Sequence, residues 1–177
     1  NVLTITASTT SPSVTATSLE SKDGRRVGAE AVVLDDGRVL MSGGCYESSG
    51  KRYYRDARIY DPSTGKWRLT RSMMVPRCYH SFLKLSDGRV AAIGGMTASN
   101  TATNTVEIYD PSTGKWKVGS PMSSARAYAG AVVLNSGKVL VTGGTTGGNS
   151  GALDTTEIYD PTADVWLTGP TMANKRF

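Results

Sequence analysis

Val106-Glu107-Ile108-Tyr109-Asp110-Pro111-Ser112-Thr113-Gly114-Lys115-Trp116 decides the fold, because the chain carries this stretch three times. An earlier copy reads Ala57-Arg58-Ile59-Tyr60-Asp61-Pro62-Ser63-Thr64-Gly65-Lys66-Trp67, and a later one Thr156-Glu157-Ile158-Tyr159-Asp160-Pro161-Thr162-Ala163-Asp164-Val165-Trp166. Trp67, Trp116 and Trp166 stand 49 and 50 residues apart. So constant a long period signals stacked repeats, each a supersecondary unit that hides its apolar faces against its neighbours. Other landmarks keep step. Each copy has a glycine pair (Gly43-Gly44, Gly94-Gly95, Gly143-Gly144) and, upstream of it, an arginine (Arg26, Arg77, Arg126) heading an apolar run; Arg176 would head a fourth.

Within a copy the pattern predicts four short strands. The first is apolar and small (28–34, 80–85, 130–134). A tight turn follows at Asp35-Asp36-Gly37, Ser86-Asp87-Gly88 or Asn135-Ser136-Gly137, and then a second strand (38–42, 89–93, 138–142). Apolar residues at successive positions, as in Ala131-Val132-Val133-Leu134, suit strands covered on both faces, so each sheet should lie between two others. The third strand ends in Ile-Tyr and the fourth starts at the Trp. Between them Asp bonds forward, Pro sets φ, and Gly65 or Gly114 takes a left-handed site; Asp164 holds that site in the third copy, as one of the few residues that tolerate it. The glycine pairs read as places of close backbone approach, and without a following helix or Gly-x-Gly-x-x-Gly spacing they are not a phosphate cradle.

Composition narrows the classes. Apolar residues make up 38% of the 177, with 20 glycines, which fits turn-rich β structure. No run is apolar and long enough to cross a bilayer. The net charge of +5 favours acidic partners, but no Lys/Arg block argues for nucleic acid. Two cysteines, Cys45 and Cys78, allow at most one internal disulfide. Residues 1–22 are Thr/Ser-rich, with possible edge strands at 2–6 and 14–19 or a glycosylated stalk as the competing reading. The chain starts at Asn1, which suggests processing or cutting.

Arg, apolar strand, Asp-Gly-Arg-Val, Gly-Gly, variable loop, Glu-Ile-Tyr-Asp-Pro and Trp together resemble the kelch repeat. Each kelch repeat forms one blade of a β-propeller. The resemblance spans Arg26 to Trp166 and implies an all-β fold: 1–22 as an N-terminal segment, then kelch repeats over 23–177. Four-stranded antiparallel blades are expected near 26–75, 77–124 and 126–173, with another starting at 176. In this alignment Ala29 and Gly130 stand where the middle copy has His80. Three blades do not close a ring, so the outer two should each have an apolar face needing a partner. The chain is therefore expected to be part of a larger propeller or to complete itself with another copy, as a ring or as a filament.

Candidate sites follow from the same resemblance. The arginines Arg26, Arg77, Arg126 and Arg176 would gather at the mouth of the central channel as a basic rim for carboxylates or sulfated sugars, or each would pair with a carboxylate inside its own blade. The segments after the glycine pairs (45–56, 96–105, 145–155) vary while the strands do not, which places individual character on one face. The first offers Tyr46, Lys51, Arg52, Tyr53, Tyr54 and Arg55 as interface anchors or as ordinary loop residues. Tyr79-His80-Ser81 is similar to the segment that supplies copper ligands in the galactose oxidase and glyoxal oxidase family. Such a site also needs a second His, and His80 is the single histidine of this sequence. Cys45 and Cys78 form a disulfide between blades or stay as two thiols.

The reading favoured by the sequence is a non-catalytic binding or scaffold module without cofactor, extracellular or at a cell surface, with cytoplasmic location as the alternative. Its partner would be a protein or glycan of acidic character, or another copy of itself. Two alternatives stand beside it: a fragment of a secreted copper-radical oxidase, and a structural subunit of an extracellular assembly.

Overall fold

Each copy of the repeat becomes one four-stranded antiparallel sheet. The structure is a computed structural model that describes residues 26–46, 52–97, 101–147 and 151–177. The expected N-terminal edge strands and Lys51 lie outside the described residues.

The first sheet contains β1 (Val27–Val33), β2 (Val39–Tyr46), β4 (Ala57–Asp61) and β5 (Lys66–Thr70) in that order, with the short β3 (Arg52–Tyr53) added to β2. The second contains β6 (Ser81–Lys84), β7 (Val90–Ile93), β8 (Val106–Asp110) and β9 (Lys115–Gly119). The third contains β10 (Gly130–Val133), β11 (Val139–Thr142), β12 (Thr156–Asp160) and β13 (Val165–Thr168). First strands lie side by side, β6 touching both β1 and β10, so the three sheets fan out from a common inner edge.

The repeated eleven residues explain the fan. Asp110 accepts from Ser112 N at 2.9 Å and Ser112 Oγ at 2.6 Å, and Gly114 N donates to Asp110 O at 2.8 Å, which closes the turn between β8 and β9. Gly65 and Gly114 have φ of 65° and 66°, and Asp164 has φ of 56°, so the third copy does keep the left-handed site with an aspartate. That turn sets Tyr109 opposite Trp116, ring centroids 5.1 Å apart. Both side chains then reach the sheet before their own. Trp116 Nε1 donates to Arg71 O at 2.7 Å, Tyr109 Oη meets Thr70 Oγ1 at 2.9 Å, and Trp166 Nε1 donates to Ser120 O at 2.8 Å. The Tyr and Trp are thus inter-sheet clips, which is why they recur.

Between the first two sheets Leu34, Leu40, Ala57 and Ile59 pack on Val90 and Tyr109. Between the second and third, Leu85, Ala91, Ile93, Val106 and Ile108 pack on Val139, Val141 and Tyr159. The two outer faces lack such cover among the described residues. Leu134, Leu140 and Ile158 are half-buried, whereas their counterparts Leu85, Ala91 and Ile108 are 2%, 0% and 5% exposed. At the other end Tyr60 is half-buried and Tyr109, its equivalent, is 1% exposed.

Candidate functional site

The glycine pairs, the arginines and the variable segments meet at one end of the fan, and the arginines are consumed there. Arg77 Nη1 donates to Gly94 O at 2.8 Å and Thr105 O at 3.0 Å; Nη2 donates to Thr105 Oγ1 at 3.0 Å and Glu107 Oε1 at 2.8 Å. Arg126 repeats this with Gly143 O, Thr155 and Glu157. The glutamates reach back to the segment leading into the arginine: Glu107 accepts from Met74 N and Val75 N, Glu157 from Ser123 N and Ser124 N. Each cage therefore ties a linker, a first strand and a third strand into one blade. Burial pulls the Arg77 pKa below its ordinary value against the opposing pull of Glu107.

Of the two readings of the arginines, an open basic rim or a carboxylate pair inside each blade, Arg77 and Arg126 take the second. Arg77 and Arg126 are 0% and 1% exposed, so neither guanidinium can meet a ligand. In the first blade Arg58 stands where Glu107 and Glu157 stand in the others, and the carboxylate moves to Asp56, which pairs with Arg26 at 2.9 Å. Arg26 also lies 3.9 Å over the Tyr54 ring. Arg176 alone of the four is exposed, and its carbonyl accepts from Gly144 N as those of Arg77 and Arg126 accept from Gly44 and Gly95. The signal for the glutamates was present in the Glu-Ile-Tyr triplet, but no local pattern says that a buried Arg lies behind it.

His80 points into the seam between the first two blades. Its ring stacks edge-on against Phe82 at 5.5 Å, and a side chain on Gly43 would strike it. Its repeat equivalent is Ala129, which packs into the next seam; the inner-strand register thus replaces the earlier alignment to Gly130. Burial, helped by the Arg77 charge, pushes the His80 pKa down to about 3. Neither ring nitrogen has a hydrogen-bond partner among the described residues, nor has the buried Ser42 hydroxyl. Tyr79 turns its ring elsewhere, onto Gly28 and Tyr128, so the two residues of the copper-like segment diverge. No grouping of three or more His, Cys, Asp or Glu that could hold a metal occurs among the described residues, and the donor set does not fit copper. Cys45 and Cys78 are both buried and share one cluster with Met96, Ala102 and Ala127.

The first variable segment is also more structural than expected. Tyr53 packs on the cysteine cluster, and Tyr54 lies under Arg26 while its carbonyl accepts from Arg77 N. Arg52 and Arg55 are exposed and Tyr46 is half-buried, so these three keep outward surface.

A feature that the sequence reading missed lies beside these segments. Two residues beyond each blade's arginine the backbone is left-handed: Gly28 at φ 62°, Tyr79 at 54° and Tyr128 at 56°. Tyr79 N donates to Gly28 O, and Tyr128 N to Tyr79 O, so successive blades are stitched at this point. The Tyr79 and Tyr128 rings stack 4.4 Å apart at 25°, and Tyr128 is 42% exposed. The residues just before them pair with the variable segments, Cys78 with Met96 and Ala127 with Thr145, which puts the stack and the segments on one face. The signal available was Gly28 aligned with two tyrosines, since glycine is the default where φ is positive.

Comparison with known families agrees with this geometry. The Kelch motif matches residues 25–74, 85–123 and 125–173. The chain belongs to the kelch-repeat family. Its kelch blades correspond closely to those matched spans, the cage arginines standing near the start of the first and third. Among 172 matching solved chains is one titled "Structure of YjhT", with a TM-score of 0.74 and 16% identity. The match covers 91% of this kelch chain and 56% of that one, so the chain spans little more than half the length of the protein it resembles. At this identity the likeness concerns the fold. Among curated proteins no significant match was found.

Proposed function

We propose that this chain is a non-catalytic binding module whose ligand face is the one where the variable segments meet the tyrosine stack. One observation carries the reading: the polar residues that recur in every blade are spent internally. The arginines close cages with carboxylates, the aspartates close turns, and the tryptophans clip neighbouring sheets. What distinguishes this chain from any other set of such blades is left on one face, beside backbone strain. The kelch scaffold supports a role in presenting that face to a protein or a glycan, outside the cell or at its surface.

The half-covered outer faces favour a second property. Leu134, Leu140 and Ile158 offer the surface that in both internal seams receives a Val, a Tyr and a Trp, and Val39, Tyr60 and Trp67 are that set at the opposite end. Further blades of matching chemistry, from the same chain or another copy, cover these faces.

Paired screening of a glycan array and a peptide display library tests the ligand face. Captured ligands should be lost when Tyr128 and Arg52 are substituted together and kept when Lys138 and Ser86, on the opposite turn side, are substituted. Ligands insensitive to the first pair would sink the proposal.

A further inference from the structure

We infer that Cys45 and Cys78 join in a disulfide that clasps the first blade to the second. The inference stands apart from the binding-module reading, since it concerns an internal seam and no ligand.

Repeat register makes the first argument. Val27 pairs with Cys45, Cys78 with Met96 and Ala127 with Thr145. Cys45, Met96 and Thr145 therefore hold one position of the blade, and Val27, Cys78 and Ala127 another. A backbone bond closes each seam one residue before these positions: Gly44 N donates to Arg77 O at 2.8 Å, and Gly95 N to Arg126 O at 2.7 Å. The second seam thus brings Met96 to Ala127, and the first brings Cys45 to Cys78; all four belong to one buried cluster. The sequence has two cysteines, and they occupy the two sides of one contact. Filling that contact does not require sulfur on both sides, because a long and a short side chain fill it in the next seam.

The needs of the seam make the second argument. His80 and Ser42 are 3% and 1% exposed, and neither the ring nitrogens nor the hydroxyl has a hydrogen-bond partner among the described residues. Burying such groups works against closure of the first seam. In the second seam the same positions hold the apolar Ala129 and Ile93. A cross-link between residues 33 apart removes closure entropy from the unfolded chain, and so holds the first seam without further apolar surface.

The bond forms by exchange with a small disulfide such as oxidised glutathione. One cysteine thiolate attacks it and releases one thiol, and the second attacks the resulting mixed disulfide and releases the other. Two protons and two electrons thereby pass from the protein to the small disulfide, which leaves as two thiols. Cys45 and Cys78 are 3% and 1% exposed, so exchange takes place as the chain folds, and the finished bond is shielded from reductant.

The test refolds the 177-residue chain from denaturant, once with oxidised and reduced glutathione and once with excess dithiothreitol. After alkylation in denaturant, the intact mass of the first sample should show a monomer without alkyl groups, and that of the second a monomer with one on each cysteine. The oxidised chain should melt at least about 5 °C higher than the reduced one. Cys45→Met with Cys78→Ala, which borrows the residues of the second seam, should fold and melt at one temperature in both buffers. Alkyl groups on both cysteines after refolding with oxidised glutathione, or a bond found only between two copies, would overturn the inference. So would an oxidised chain that melts no higher than the reduced one, because a bond that distorts the seam gains nothing. The same buffer dependence in the double variant would overturn it too, since the shift would then not come from the bond.

Discussion

His80 makes the stability of the first seam depend on acid. The ring is buried, Arg77 lies near, and its pKa falls from 6.5 to about 3. The unfolded chain takes up a proton near pH 6.5 while the folded chain does not. The contribution is therefore whole above pH 6.5 and is lost as pH falls toward 3. Two pH units of this difference are worth about 2.7 kcal/mol at pH 4.5, and the full span about 5 kcal/mol. For a chain of this size, 2.7 kcal/mol corresponds to a melting shift of about 5–11 °C. The comparison is His80→Ala, the residue that Ala129 places at the same point of the next seam. The cavity left by the substitution lowers stability by an amount that does not vary with pH, whereas the proton linkage changes the slope. Urea unfolding followed by Trp fluorescence at pH 7.0, 5.5 and 4.5 reads both, and carboxylate titration cancels in the difference. The parent should lose about 2–3 kcal/mol more than the variant between pH 7.0 and 4.5. Curves that stay parallel within about 0.5 kcal/mol would show that the ring titrates normally and that the seam is not dry around it.

Glu157→Gln leaves the Arg126 charge without its carboxylate and should cost about 3–5 kcal/mol, read as a lower melting temperature by circular dichroism. The apolar double variant Arg126→Met with Glu157→Leu should not recover that loss, because Ser123 N, Ser124 N and Gly143 O are then orphaned, and only Thr155 O keeps a partner in Gly143 N. Gly65 and Gly94 share φ of 65° and differ in surroundings: nothing lies within 4 Å of a Cβ at Gly65, while one at Gly94 would collide with Arg126 O. Gly65→Ala should thus cost about 1 kcal/mol and Gly94→Ala at least about 2 kcal/mol more, measured by the same melts. Sedimentation should find the chain associated through the micromolar range, and Leu140→Lys should shift it toward monomer; a stable monomer at all concentrations would refute the reading of the outer faces.

The sequence by itself determined the blade. A fifty-residue period, the Asp-Pro-Ser-Thr-Gly turn and the Tyr and Trp at its ends are local chemistry, and short apolar runs bounded by turn residues translate directly into a four-stranded sheet. It also determined that the sheets stack, since runs such as Ala131 to Leu134 leave no wet face. Only the tertiary structure decided what the charged and aromatic residues do. Arg77 and Glu107 are 30 residues apart and meet because β8 folds back beside the glycine pair, which decides for the pair inside the blade over the open rim. Tyr79 and Tyr128 are 49 residues apart, and neighbouring inner strands stack them. Sequence pattern records which residue types recur; whether a guanidinium ends in water or behind a glutamate depends on how sheets distant in the chain come together.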